Sequence, residues 1–149
     1  MRASLTAIGA VHEVRRDFSS HLSKLDRATQ ITAVFPDEHT AITAADVLGA
    51  WQQGCASHAQ SMGLKHVAVH APEQLQTPVG PAEDWMVTFR PVPQGRTASW
   101  WNAEGFVRDG DTLTYLVIVS AGQDYDYPTG QQPMERALAV AGLALKRSR

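Results

Sequence analysis

Three groups of residues in this 149-residue sequence have types and spacings that could do chemistry. The first sets polar side chains among aromatics. Asn102, Glu104 and Tyr115 are expected on one face of a hairpin with Trp100 and Phe106, with Asp84 and Trp85 on the strand before. Ligand pockets are mostly apolar with a few convergent polar groups, which this face would match. A glutamate held there serves as an acid or base if desolvation raises its pKa. The plainer reading makes Asn102 and Glu104 the solvent side of a half-covered antiparallel sheet.

The second group is Asp124-Tyr125-Asp126-Tyr127-Pro128, two tyrosines spaced by carboxylates in a polar loop. Exposed tyrosines beside charges are typical of recognition surfaces, and the competing role is a tyrosine plug for the open end of a sheet. The two carboxylates also suggest a calcium shell, but the repeated Asp-x-Asp-x-Asp-Gly spacing is absent. The expected binding set is therefore Trp85, Trp100, Asn102, Glu104, Tyr115, Asp124, Tyr125, Asp126 and Tyr127.

The third group, six histidines and one cysteine, yields less. His66 and His70 would share a strand face but stand roughly 13 Å apart, too far to hold one ion. Cys55 and His58 are three apart on a helix, but Cys55 belongs to an apolar stripe, where a lone cysteine behaves as a small hydrophobe. A catalytic thiolate prefers a partly exposed, electropositive setting. No Gly-x-Ser-x-Gly elbow and no glycine-rich phosphate loop occurs. No catalytic set, no metal site and no cofactor is expected.

These residues need elements to position them. Ile31 to Phe35 reads as a short strand, and residues 1–30 show no clean period. Thr43-Ala44-Ala45-Asp46 resembles a capping box, followed by Val47, Leu48, Trp51, Cys55, Ala59 and Met62 at helical spacing and by Gly63 as a left-handed cap. That predicts a helix over 43–62 burying Val47, Leu48, Trp51 and Cys55. Leu64 to His70 alternates like a strand, Ala71 to Glu83 reads as a long loop, and Trp85, Val87 and Phe89 share a strand face. Thr97 to Val107 and Asp111 to Ser120 flank Asp109-Gly110, which predicts a hairpin with Arg108 opposite Asp111 and Phe106 opposite Leu113. Pro133 opens a closing helix with Met134, Leu138, Ala141 and Leu145 on its apolar face. The order of elements predicts a single α+β domain over 1–149. Its antiparallel sheet would have four or more strands, with the helices packed on one face as a two-layer sandwich.

Composition narrows the function. Thirteen Lys and Arg against fifteen Asp and Glu give a formal charge of −2, which argues against duplex nucleic acid as a partner. Hydrophobic residues at 44% argue against a disordered chain. One cysteine excludes an internal disulfide. No apolar run reaches the roughly 18 residues a membrane span needs, and the N-terminal stretch lacks a signal peptide's apolar segment. The expected location is the cytoplasm, or else the chain is a soluble piece of an exported or membrane-anchored protein.

The C-terminal half, residues 85–149, resembles the sensor domains of actinobacterial lipoproteins and of the extracytoplasmic part of some bacterial Ser/Thr kinases. The resemblance is carried by Gly105-Phe106-Val107-Arg108-Asp109-Gly110-Asp111-Thr112-Leu113 after a Trp-containing segment, and by the alanine-rich helix Met134 to Leu145. The chain departs from that pattern in lacking the paired cysteines common there and a membrane anchor. The resemblance implies binding of a ligand or partner without catalysis. The expected function is a non-enzymatic, sensor-like or regulatory domain for a small molecule or a protein. Two alternatives stand beside it: a small cofactor-free isomerase, cyclase or hydrolase using Glu104 or a histidine as base, and a protein-docking regulatory or immunity protein.

Overall fold

The computed structural model describes residues 4–21, 23–77, 79–90, 99–122, 127–128 and 130–147. A short 3₁₀ turn, Leu5–Ile8, is followed by β1 His12–Ser19, β2 Arg27–Val34, α1 Glu38–Ser61, β3 Lys65–Val69 and β4 Glu73–Gln76. After these come β5 Pro81–Arg90, β6 Ser99–Asp109, β7 Thr112–Gly122 and α2 Pro133–Arg147. Among the described residues, all seven strands join one sheet in the order β1-β2-β7-β6-β5-β3, with β4 pairing the first half of β5. Every pairing is antiparallel. The fold is α+β, as the sequence predicts.

The central strands explain where the helices go. Phe106 and Val107 are adjacent, as are Tyr115 and Leu116, and neighbours along a strand point to opposite faces. All four are buried, so the sheet is apolar on both sides. One core contains Ile31, Phe35, Leu48, Trp85, Phe106, Leu113 and Tyr115 beneath α1. The other contains Ala82, Val107, Leu116, Met134, Leu138 and Leu145 beneath α2. The helices therefore lie on opposite faces, not together on one face as expected. A single covering layer would have left one of these apolar sets in water.

Helix α1 begins five residues before the expected Thr43. Asp37 is its N-cap, accepting from the Thr40 amide at 2.7 Å, while the Thr43 hydroxyl bonds back to the His39 carbonyl inside the helix. Its end matches the expected left-handed cap at Gly63: Gly63 N–H reaches the Gln60 carbonyl and Leu64 N–H the Ala59 carbonyl, a Schellman pair. The buried stripe is Ala41, Ala44, Leu48, Gln52 and Ala59, with Cys55 half-buried. Trp51 lies on the flank and is 43% exposed, so it does not anchor the helix. Small residues let the helix approach the sheet, and a ring as large as Trp51's stays at the rim.

Strands β1 and β4 carry little apolar signal. All of β1 is exposed, and β4 lies inside the stretch 71–83 expected to be loop, showing only Leu75 as an inward apolar residue. Pro81 is tolerated as the first residue of β5.

The β6–β7 hairpin turns at Gly110-Asp111. Asp109 faces Thr112 and Phe106 faces Tyr115, which corrects the expected pairing of Phe106 with Leu113. Gly110 takes the positive φ of 58°, the requirement of a type II′ turn at its first central residue. Asp111 also receives the Phe35 amide on its carbonyl at 2.9 Å, which ties the turn to the end of β2. Since the correction is a slip of two residues, the expected face of each side chain survives. Helix α2 buries Met134, Leu138, Ala141 and Leu145 as expected, together with Gly142.

Candidate functional site

The hairpin and β5 bring four of the expected residues together on the α1 face. Trp85 is directly opposite Glu104, Asn102 is two residues along β6, and Tyr115 is diagonal across the hairpin. The Trp85 ring lies 6.5 Å from the rings of both Phe106 (edge-on) and Tyr115 (tilted). The Tyr115 hydroxyl donates to Glu104 Oε2, and the Asn102 amide donates to Glu104 Oε1. Trp85 and Tyr115 are buried, while Asn102 and Glu104 are half-buried. The Trp85 indole N–H is buried without a hydrogen-bond partner.

Cys55, from α1, completes this cluster and was not among the residues the sequence singled out for it. Burial first, then the nearby Glu104 carboxylate, push its thiol up from the ordinary value. Burial and Glu104 likewise push the Tyr115 hydroxyl well above a phenol's ordinary value. Both groups therefore hold their protons. The cluster is a carboxylate with donors on both oxygens beside a thiol, and a thiol that keeps its proton is a poor nucleophile. The helical period could have found Cys55, which stands seven residues after the fully buried Leu48 on the same stripe.

Trp100 is half-buried one step further along β6, opposite Ala121 and Phe89, and it stands outside the hydrogen-bonded set. Asp124, Tyr125 and Asp126 lie outside the described residues, and Tyr127 is 44% exposed. All six histidines are on the surface. Among the described residues, no three His, Cys, Asp or Glu side chains are grouped to hold a metal ion.

A concave surface lies on the opposite face of the sheet, where the sequence pointed to nothing. Helix α2 packs on β5, β6 and β7, and the α2 side of β1 and β2 forms the floor of a groove beside it. The groove encloses about 340 Å³, with Val14, Thr32, Val34 and Thr114 on its floor and Ala144 and Leu145 on its wall. A second, shallower hollow of about 790 Å³ continues it past Val34 to Asp111 and the start of α1. Val14 is 61% exposed and Phe18, further along the same strand, 50%. Patterning did not find this surface because its apolar residues come from three separate elements, and β1, which supplies Val14, is largely polar.

No known family model matches the chain, and no curated protein matches it significantly. Solved structures similar to it include a Pseudomonas aeruginosa protein of unknown function described as a proposed regulator. The two share 11% identity at a TM-score of 0.44, over 86% of this chain and 81% of that one. That degree of likeness carries no functional argument. Among the described residues, no helix is long and apolar enough to cross a membrane.

Proposed function

We propose that this chain is a non-enzymatic, regulatory domain that binds a protein partner on the strip of sheet beside α2. The observation that carries this reading is the groove whose floor is Val14 and Val34 and whose wall is Ala144 and Leu145. Contiguous exposed apolar surface rimmed by polar residues is a mark of interaction sites, and His12, Glu13 and Arg16 supply that rim. The implication of ligand or partner binding drawn from the sensor-domain resemblance of residues 85–149 agrees with it.

A photo-crosslinking residue placed at Val14 or Ala144 tests the reading in cells expressing the whole chain. Adducts are expected from both positions and not from Gln53, an exposed residue on α1. Adducts from Gln53 alone would overturn it.

A second reading, a small polar ligand beside Glu104, draws support from the unpartnered Trp85 indole N–H, because buried donors normally find an acceptor. A thermal-shift screen of small polar metabolites tests it. A ligand of this site raises the melting temperature of the native chain and not of Glu104→Ala. A hit that stabilises both proteins equally binds elsewhere.

A further inference from the structure

We propose that the partner on this surface is a second copy of the same chain, joined edge to edge through β1 in antiparallel register centred on Val14. The proposal rests on the β1 part of the docking reading above: the second copy meets the Val14 edge and leaves the wall of Ala144 and Leu145 uncovered.

β1 is an end strand of the sheet, pairs only with β2 among the described strands, and is exposed along all eight residues. A long exposed edge is a template for pairing with another chain. Proteins that keep such an edge single usually blunt it with charge or proline. β1 carries charge at Glu13, Arg15, Arg16 and Asp17, but its α2 face also presents Val14 and Phe18, 61% and 50% exposed, alongside His12 and Arg16, and no proline interrupts it.

The order of charges along β1 favours a second copy as the partner and, among residues 13–16, a register centred on Val14. A two-fold axis perpendicular to the sheet keeps each face on its own side, so each residue meets one of like orientation in the other copy. Centred on Val14, that axis sets Val14 against its own counterpart. It also sets Glu13 against Arg15 of the second copy, twice by symmetry, on the α1 face. The Glu13 carboxylate holds the Leu5 and Thr6 amides, and Arg15 is paired with Asp17 in its own chain. Val11 then meets Asp17, and His12 meets Arg16. Opposite-charge and apolar cross-strand pairs stabilise such a ladder, and like charges directly opposed destabilise it.

The neighbouring centres fail this criterion. An axis on Glu13 opposes two glutamates. An axis on Arg15 opposes two arginines and also sets Glu13 against Asp17, and an axis on Arg16 again opposes two arginines. Among residues 13–16, Val14 alone gives a seam in which no two formally charged side chains of like sign are opposed, with His12 set against Arg16. An arbitrary partner peptide would need its charges fitted to this strand, whereas a second copy carries the fit within its own sequence. The Val14 and Val34 floors of the two copies then adjoin across the seam.

Light scattering on the eluting full chain tests the proposal. Because Val14 is exposed, Val14→Lys and Val14→Asp should leave the circular dichroism spectrum and melting of each chain intact. The native chain is expected at twice the single-chain mass. Each variant alone is expected at the single-chain mass, since the axis opposes two like charges, and an equimolar mixture should return to twice that mass as Lys meets Asp. A native chain of single mass at every concentration up to its solubility limit would overturn the proposal. So would variants that stay dimeric, or a mixture that stays at single mass. If the native chain is single while the Val14 crosslinker captures a different protein, the second copy is refuted and the docking reading stands. If the crosslinker captures nothing, both fail.

Discussion

The Tyr115 hydroxyl donates to Glu104 although the two residues are not directly opposed: Tyr115 faces Phe106, and Glu104 faces Val117. The bond therefore runs diagonally across the hairpin, and the Asn102 amide fills the second carboxylate oxygen from the same strand. Tyr115→Phe removes one donor and leaves a half-buried carboxylate oxygen without it. The expected cost is about 1–3 kcal/mol, the usual penalty for stranding a buried polar group. Urea unfolding measures it. A loss near zero would show that water replaces the phenol freely and that the cluster is open.

Asp84 supplies a prediction on pH. It is 8% exposed on the α2 face. Burial, followed by the charges of Glu73, Glu135 and Glu83, pushes its carboxyl up to about 6. An unfolded aspartate titrates near 3.9, so between these values the native state binds the proton and the unfolded state does not. The stabilisation is complete below about pH 4 and is lost as pH rises through about 6, amounting to at most about 3 kcal/mol. Asp84→Asn should flatten this part of the profile and unfold at a higher urea concentration than the native chain at pH 7.5. Parallel profiles for the two proteins from pH 4 to 7.5 would contradict the assignment.

Much of this fold is readable from residue order, and the exceptions have physical causes. Met134, Leu138, Ala141 and Leu145 mark α2 because a helix on one face of a sheet shows its stripe plainly. The faces of β6 and β7 are readable because alternation survives a slip of two residues. The slip itself was not, because Asp109-Gly110 and Gly110-Asp111 are both plausible turns until the Phe35–Asp111 bond is seen. In the candidate site, Trp85, Asn102, Glu104 and Tyr115 gather as alternation requires. The helical stripe puts Cys55 on the sheet side of α1, but its place beside Glu104, like the β1–β2 groove, depends on how separate elements cross, which no local pattern encodes.

Trp51 and Leu48 test which side of α1 faces the sheet. Leu48 is fully buried and Trp51 is 43% exposed. Leu48→Ala should cost about 2–5 kcal/mol, the range for a truncated core leucine. Trp51→Ala should cost under about 1 kcal/mol, as surface substitutions do. The comparison is sharp because size alone predicts the reverse order. A larger loss at Trp51, measured by denaturant unfolding, would mean that the indole packs against the core in solution.

At Gly105, β6 comes close to both β5 and α2. A Cβ at this position would stand 2.8 Å from Leu138 Cδ1, 2.9 Å from Asp84 Cβ and 2.8 Å from the Glu83 carbonyl oxygen. One of these neighbours is backbone, so rotation of a side chain cannot relieve the whole clash. Gly105→Ala should therefore destabilise the protein by about 1–3 kcal/mol, as overpacking does, despite alanine's smaller loss of backbone entropy on folding. Leu138→Ala alone should cost about 2–5 kcal/mol by leaving a cavity. In the double variant the new methyl enters part of that cavity, so the combined loss should be smaller than the two single losses added together. Residues in contact commonly couple by about 0.5–3 kcal/mol. Strict additivity in urea unfolding would show that α2 does not rest on Gly105.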